Sequence, residues 1–137
     1  MVSVNPIRVS CLPVAGIDNP YQYLMMKGLN EDDHIQAISG LDNRFFGIFL
    51  TAIRQRPTYI HFDWLHSYYY RRTLWMSILN MPLFVIQILF VKWIFRTKLV
   101  WTLHNIEPHD VKYKWLHQFN RRFFANNVEW IRLFAHE

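Results

Sequence analysis

Cysteine is almost missing from this sequence: Cys11 is the only one among 137 residues. A lone thiol excludes an internal disulfide. Set in an apolar stretch, it reads as a core residue of a protein kept in a reducing compartment. Glycine and proline are sparse as well, at four and six, and no Gly/Ser-rich or Pro-rich tract or internal repeat divides the chain. The amino terminus lacks the charged, apolar and small-residue succession of a signal peptide, so export is not expected. No recognition helix, zinc finger or RNP-type signature accompanies the basic residues, and no nucleic-acid partner is expected. A G-x-S-x-G elbow is missing too, which leaves no support for a hydrolase-type nucleophile.

What is present points to one core. Apolar residues make up 52% of the chain and aromatics 18%, which fits a single domain over residues 1–137 and excludes disorder. Fifteen Lys and Arg face ten Asp and Glu, an excess that favours an anionic partner such as a nucleotide diphosphate or an acidic lipid surface. The basic residues fall in short clusters, including Arg71-Arg72 and Arg96 to Lys98, whose simplest reading is solvated helix ends.

Strand and helix patterns alternate along the chain. An apolar run from Ile7 to Val14 hands over at Gly16 and Asp18-Asn19-Pro20 to a helix, with Asn19 as cap and Pro20 in the first turn. A weaker strand at His34 to Ser39 precedes a helical stretch with Phe45, Phe46, Phe49, Leu50 and Ile53 that ends at Pro57. Thr58 to Trp64 alternates as a third strand, with Tyr59, His61 and Asp63 on one side and Ile60, Phe62 and Trp64 on the other. Leu99 to Leu103 forms a fourth, and helical pattern runs from about Val111 to the end. This order predicts an α/β fold: a Rossmann-like parallel sheet in order 3-2-1-4, with helices on both faces. In that order the first and fourth strands meet where the winding reverses, so Val14 to Asn19 and His104 to Asp110 would form the site.

Between Arg72 and Arg96 the chain is long and apolar, interrupted by Ser77, Asn80, Pro82, Gln87 and Lys92. Three readings stand: a buried crossover helix, broken near Pro82 or not; a helix dipping into a membrane interface; and a span. In the interfacial reading Trp75, Trp93, Phe84, Phe90 and Phe95 enter the bilayer surface while Arg71, Arg72, Arg96 and Lys98 meet anionic head groups.

The most informative stretch is Trp101-Thr102-Leu103-His104-Asn105-Ile106-Glu107-Pro108-His109-Asp110, a strand that ends in several donors and acceptors. With Asp18-Asn19-Pro20-Tyr21-Gln22 and Ile60-His61-Phe62-Asp63-Trp64-Leu65-His66, it resembles the first domain of nucleotide-sugar-dependent GT-B glycosyltransferases, especially bacterial exopolysaccharide and lipid-linked-sugar enzymes. Many relatives carry a glycine pair where this chain has Val14-Ala15-Gly16-Ile17.

The resemblance implies one half of a GT-B fold, shaping the acceptor cleft, with a donor-binding domain beyond Glu137 or on a partner chain. It implies transfer of a sugar from a nucleotide-diphosphate sugar, with no further cofactor, to a glycan or lipid-linked acceptor. The expected location is cytoplasmic and peripheral, on an anionic membrane surface at the inner face of the plasma membrane. His104 takes the place of a histidine facing the reacting sugar. Gly16, Asp18, Asn19, His61, Asp63, Trp64, His66, Asn105, His109 and Asp110 would contact substrate. His104, His109 and Asp110 also read as turn or helix caps, and a metal site from His104, Glu107 and His109 is not expected. A non-catalytic Rossmann-like module docking on a partner or membrane is the alternative.

Overall fold

A computed structural model describes residues 4–14, 20–104 and 112–133. In them β1 (Ile7–Leu12), β2 (Ile35–Ser39), β3 (Tyr59–Phe62), β4 (Lys98–Leu103) and β5 (Trp130–Leu133) alternate with α1 (Pro20–Leu29), α2 (Gly47–Gln55), α3 (Leu74–Trp93) and α4 (Lys114–Ala125). All pairings are parallel, which makes the domain the α/β, Rossmann-like type that the alternating pattern predicts.

The strand order is β2-β1-β3-β4-β5, which corrects the expected 3-2-1-4. β3 does not lie outside β2 but inserts between β1 and β4, pairing Val9 with Tyr59 and Tyr59 with Lys98. The reason lies in its two faces. Ile60 and Phe62 are fully buried on one, and His61 is buried on the other, as only a strand covered on both sides requires. In β2 only Ala37 is buried, the mark of an edge strand. The winding therefore reverses between β1 and β3, and the carboxyl ends of β1 and β4 are separated by the end of β3.

α2, α3 and α4 pack side by side over a core that includes Leu12, Ile60, Phe62, Phe84, Ile88, Leu99, Trp101 and Phe124. Right-handed crossovers put α1 on the opposite face, where strand alternation also places His61 and Thr102.

Helix α3 is one uninterrupted 20-residue element, about 30 Å long, with Pro82 in its interior. Thr73 caps it, its Oγ1 accepting from the Met76 amide at 3.3 Å. The buried positions are Ser77, Asn80, Phe84, Gln87, Ile88 and Val91, so Phe84 points into the core and not outward as the interfacial reading has it. Gln87 keys α3 to α2: its Oε1 accepts from the Phe49 amide at 3.1 Å, and its Nε2 donates to the Phe45 carbonyl at 2.7 Å. The outward stripe is the more apolar one. Trp75, Leu79, Ile86 and Trp93 are 76, 72, 62 and 69% exposed.

Two other elements depart from the sequence pattern. In α2 the buried face is Gly47, Ile48, Thr51 and Ala52, while Phe45, Phe46 and Ile53 face outward. Helical structure also stops at Ala125 instead of running to the end. Asn126 and Asn127 turn the chain, and the β-prone Trp130–Leu133 adds an edge strand beside β4.

Candidate functional site

Asp63 stands one residue beyond β3, where its amide donates to the Leu12 carbonyl at 3.0 Å and so fixes it between the ends of β1 and β3. Its carboxylate is almost fully buried, which requires partners. His104 Nε2 lies 3.1 Å from Oδ1, and Gln22 Nε2, from the first turn of α1, donates to Oδ2 at 3.0 Å and to the Pro13 carbonyl at 2.9 Å. Four chain segments thus meet at one carboxylate.

The His104 ring is also clamped by aromatics. Trp64 stacks on it at 4.6 Å with the planes 17° apart, and Tyr21 meets it edge-on at 4.9 Å. A carboxylate facing Nε2 assigns the proton to that nitrogen and the lone pair to Nδ1 in the neutral ring, the orienting role that buried carboxylates play beside acid-base histidines.

His61 plays a supporting part. Its Nε2 lies 2.7 Å from Thr102 Oγ1, while its Nδ1 stands 3.7 Å from Asp63 Oδ2, too far for a hydrogen bond. Burial pushes its pKa down, against the pull of the Asp63 charge. The ring is therefore neutral at pH 7.

Two spaces flank Trp64 and His66. On one side Asp63, His104, Tyr69, His117 and Arg121 help line a cavity of about 40 Å³, which has room for water but not for a sugar ring. On the other an open groove of about 880 Å³ runs past Pro13, Val14, Arg44, Tyr70, Arg71 and Arg72, a volume suited to a ligand.

His117 and Tyr69 form a pair that sequence reasoning did not anticipate. Tyr69 Oη is 2.7 Å from His117 Nδ1, and His117 Nε2 is buried without a hydrogen-bond partner among the described residues. Burial, then Arg121 and His66, pushes the His117 pKa down to about 4. The two residues are 48 positions apart and no motif joins them. Gln22 and Thr102 were likewise not singled out, although both belong to the stretches that carry the resemblance.

Of the residues expected from sequence, the catalytic candidate His104 converges with the substrate-binding candidates Asp63, Trp64 and His66, and His61 is buried beneath them. Gly16, Asp18, Asn19, Asn105, His109 and Asp110 lie outside the described residues, as does Glu107. Among the expected membrane-contact residues Trp75, Trp93, Arg72, Arg96 and Lys98 are exposed. Arg71 is half-buried and donates to the Ser67 and Arg44 carbonyls at 2.7 and 2.6 Å. Burial pushes the Cys11 thiol up to about 12, which leaves it unreactive in the core. No known protein family matches the chain in sequence, and no curated protein matches it either.

Proposed function

We propose that this chain is the acceptor-side half of a glycosyltransferase that moves a sugar from a nucleotide-diphosphate sugar to a membrane-associated acceptor. One observation carries the reading: a histidine at the end of β4, clamped by two aromatic rings and oriented by a buried carboxylate that stands where the winding of the parallel sheet reverses, with one of those rings, Trp64, walling a ligand-sized groove. A Trp face suits a sugar ring, and the Nδ1 lone pair of His104 takes the proton of the attacking hydroxyl. Holding that hydroxyl against the anomeric carbon is the contribution of this half. The donor-binding half supplies the contacts to the departing diphosphate.

The membrane part of the proposal rests on α3. Its outward positions Trp75, Leu79, Pro82, Ile86, Leu89 and Trp93 repeat in alternating steps of four and three, which makes a single apolar stripe. A tryptophan stands at either end, and exposed Arg72, Arg96 and Lys98 flank it. Aromatic ends and basic flanks fit an anionic lipid interface.

The test is transfer of labelled sugar from a nucleotide-diphosphate sugar to lipid-linked acceptor, by the 137-residue chain alone and with a donor-binding half supplied. Transfer is expected only in the second case. Turnover by the chain alone, or none in either case, contradicts the proposal.

A further inference from the structure

Among the described residues, the groove on the outer side of Trp64 and His66 is lined by three arginines, Arg44, Arg71 and Arg72, against a single acidic residue, Asp42. None of the three arginines forms an ion pair with a carboxylate among the described residues. Arg71 is held in place without being neutralised. Its bonds go to the carbonyls of Ser67 and Arg44, its guanidinium lies 5.1 Å from the centre of the Phe45 ring, and its buried Nε has no partner among the described residues. Burial and then the neighbouring Arg44 push its pKa down, so like charges are held together here at a cost. Such an arrangement is favourable once an anion enters, and guanidinium forks match phosphate oxygens.

The position narrows the anion further. Pro13, Val14 and Trp64 bring the groove to the ends of β1 and β3, where open α/β sheets bind ligands. Trp64 and His66 form a wall shared with the cavity at His104. At the other end Arg72 immediately precedes Thr73, the cap of α3, and the exposed apolar stripe begins at Trp75.

We infer that Arg44, Arg71 and Arg72 bind the diphosphate of a lipid-linked sugar acceptor, with its sugar against Trp64 and His66 and its lipid along the outer face of α3. This rests on the acceptor-side reading above and names the acceptor class. A nucleotide or a plain phospholipid head group could offer similar oxygens, but neither has a sugar on one side of the phosphates and a long chain on the other.

The first measurement is calorimetric titration of the chain with inorganic pyrophosphate at low ionic strength. Arg44→Gln and Arg72→Gln are each expected to weaken binding at least fivefold, as loss of a charge-assisted hydrogen bond does. Arg122→Gln, on the exposed side of α4, is expected to stay within about twofold, since it does not touch the groove. Arg71 is left intact because its carbonyl bonds hold the chain around it. Pyrophosphate affinity unchanged in both Arg44→Gln and Arg72→Gln overturns the groove assignment, and because the titration involves no transfer it leaves the glycosyltransferase reading to its own test. The second measurement is co-sedimentation with vesicles carrying a polyprenyl diphosphate sugar, against phosphatidylglycerol vesicles of equal charge. Preference for the first, lost in Arg44→Gln and Arg72→Gln, is expected. Equal binding to both assigns the arginines to the general lipid surface and overturns the acceptor assignment.

Discussion

Single residues divide into those whose type announced them and those that only the fold reveals. Asp63 and His104 were legible because a strand pattern ran into them: a polar residue at the carboxyl end of a buried strand in a parallel sheet has the ligand crevice as its main outlet. That each is the other's partner, across 41 positions, is not local information. His117 shows the limit more sharply. It sits in an ordinary helical stretch, and only its burial and the approach of Tyr69, 48 positions away, make it unusual. Its folded pKa, about 4, lies below the unfolded value of about 6.5, so the unfolded chain takes up the proton first. Stability from this group is complete above about pH 6.5 and is lost as pH falls toward 4. Buried His61 and half-buried His66, whose pKa values are also lowered, act in the same direction. Urea midpoints of the parent chain should therefore fall between pH 7 and 4.5, and those of His117→Gln should fall less. Equal pH slopes in the two chains would contradict the assignment to His117.

Among the elements, α3 departs furthest from the ordinary rule that a helix turns its apolar side inward. Ser77, Asn80 and Gln87 are buried, and each is hydrogen-bonded. Gln87→Leu would strand the Phe49 amide and the Phe45 carbonyl, and a loss of about 2 kcal/mol is expected from denaturant unfolding; a change below about 0.5 kcal/mol, the range of a neutral surface substitution, would mean that Gln87 does not key α3 to α2. The outer stripe behaves oppositely. Leu79→Glu and Ile86→Glu should leave the unfolding midpoint nearly unchanged, while sedimentation with anionic vesicles at low salt falls several-fold through lost apolar burial and added repulsion. Undiminished vesicle binding would remove α3 from the membrane surface. Existence and type of α3 were legible from its length and composition. Which flank packs was not, because three polar interruptions resemble a solvent face until the backbone groups that they satisfy are known. In α2, too, the buried face was not legible: the conspicuous aromatics Phe45 and Phe46 precede the helix and are exposed, while Ile48, Thr51 and Ala52 are buried.

For the whole molecule, alternation of strands and helices carried the α/β class, whereas strand order depended on which strand needs cover on both faces. β3 carries that signal in fully buried Ile60 and Phe62 beside buried His61, but sequence shows the alternation and not the covering α1 and Thr102. Placing β3 beside β1 moved the reversal point, yet His104, at the end of β4, still reaches Asp63 at the end of β3. The proposed chemistry of the site therefore depends on that histidine. The most direct measurement is turnover of nucleotide-diphosphate sugar with the donor-binding half present, in the parent chain and in His104→Ala, with thermal unfolding recorded to verify the fold. A fall of about a hundredfold or more is expected, the usual consequence of losing a positioned acid-base group, with the unfolding transition retained. Turnover of His104→Ala within about threefold of the parent, well short of that loss, would contradict that chemistry.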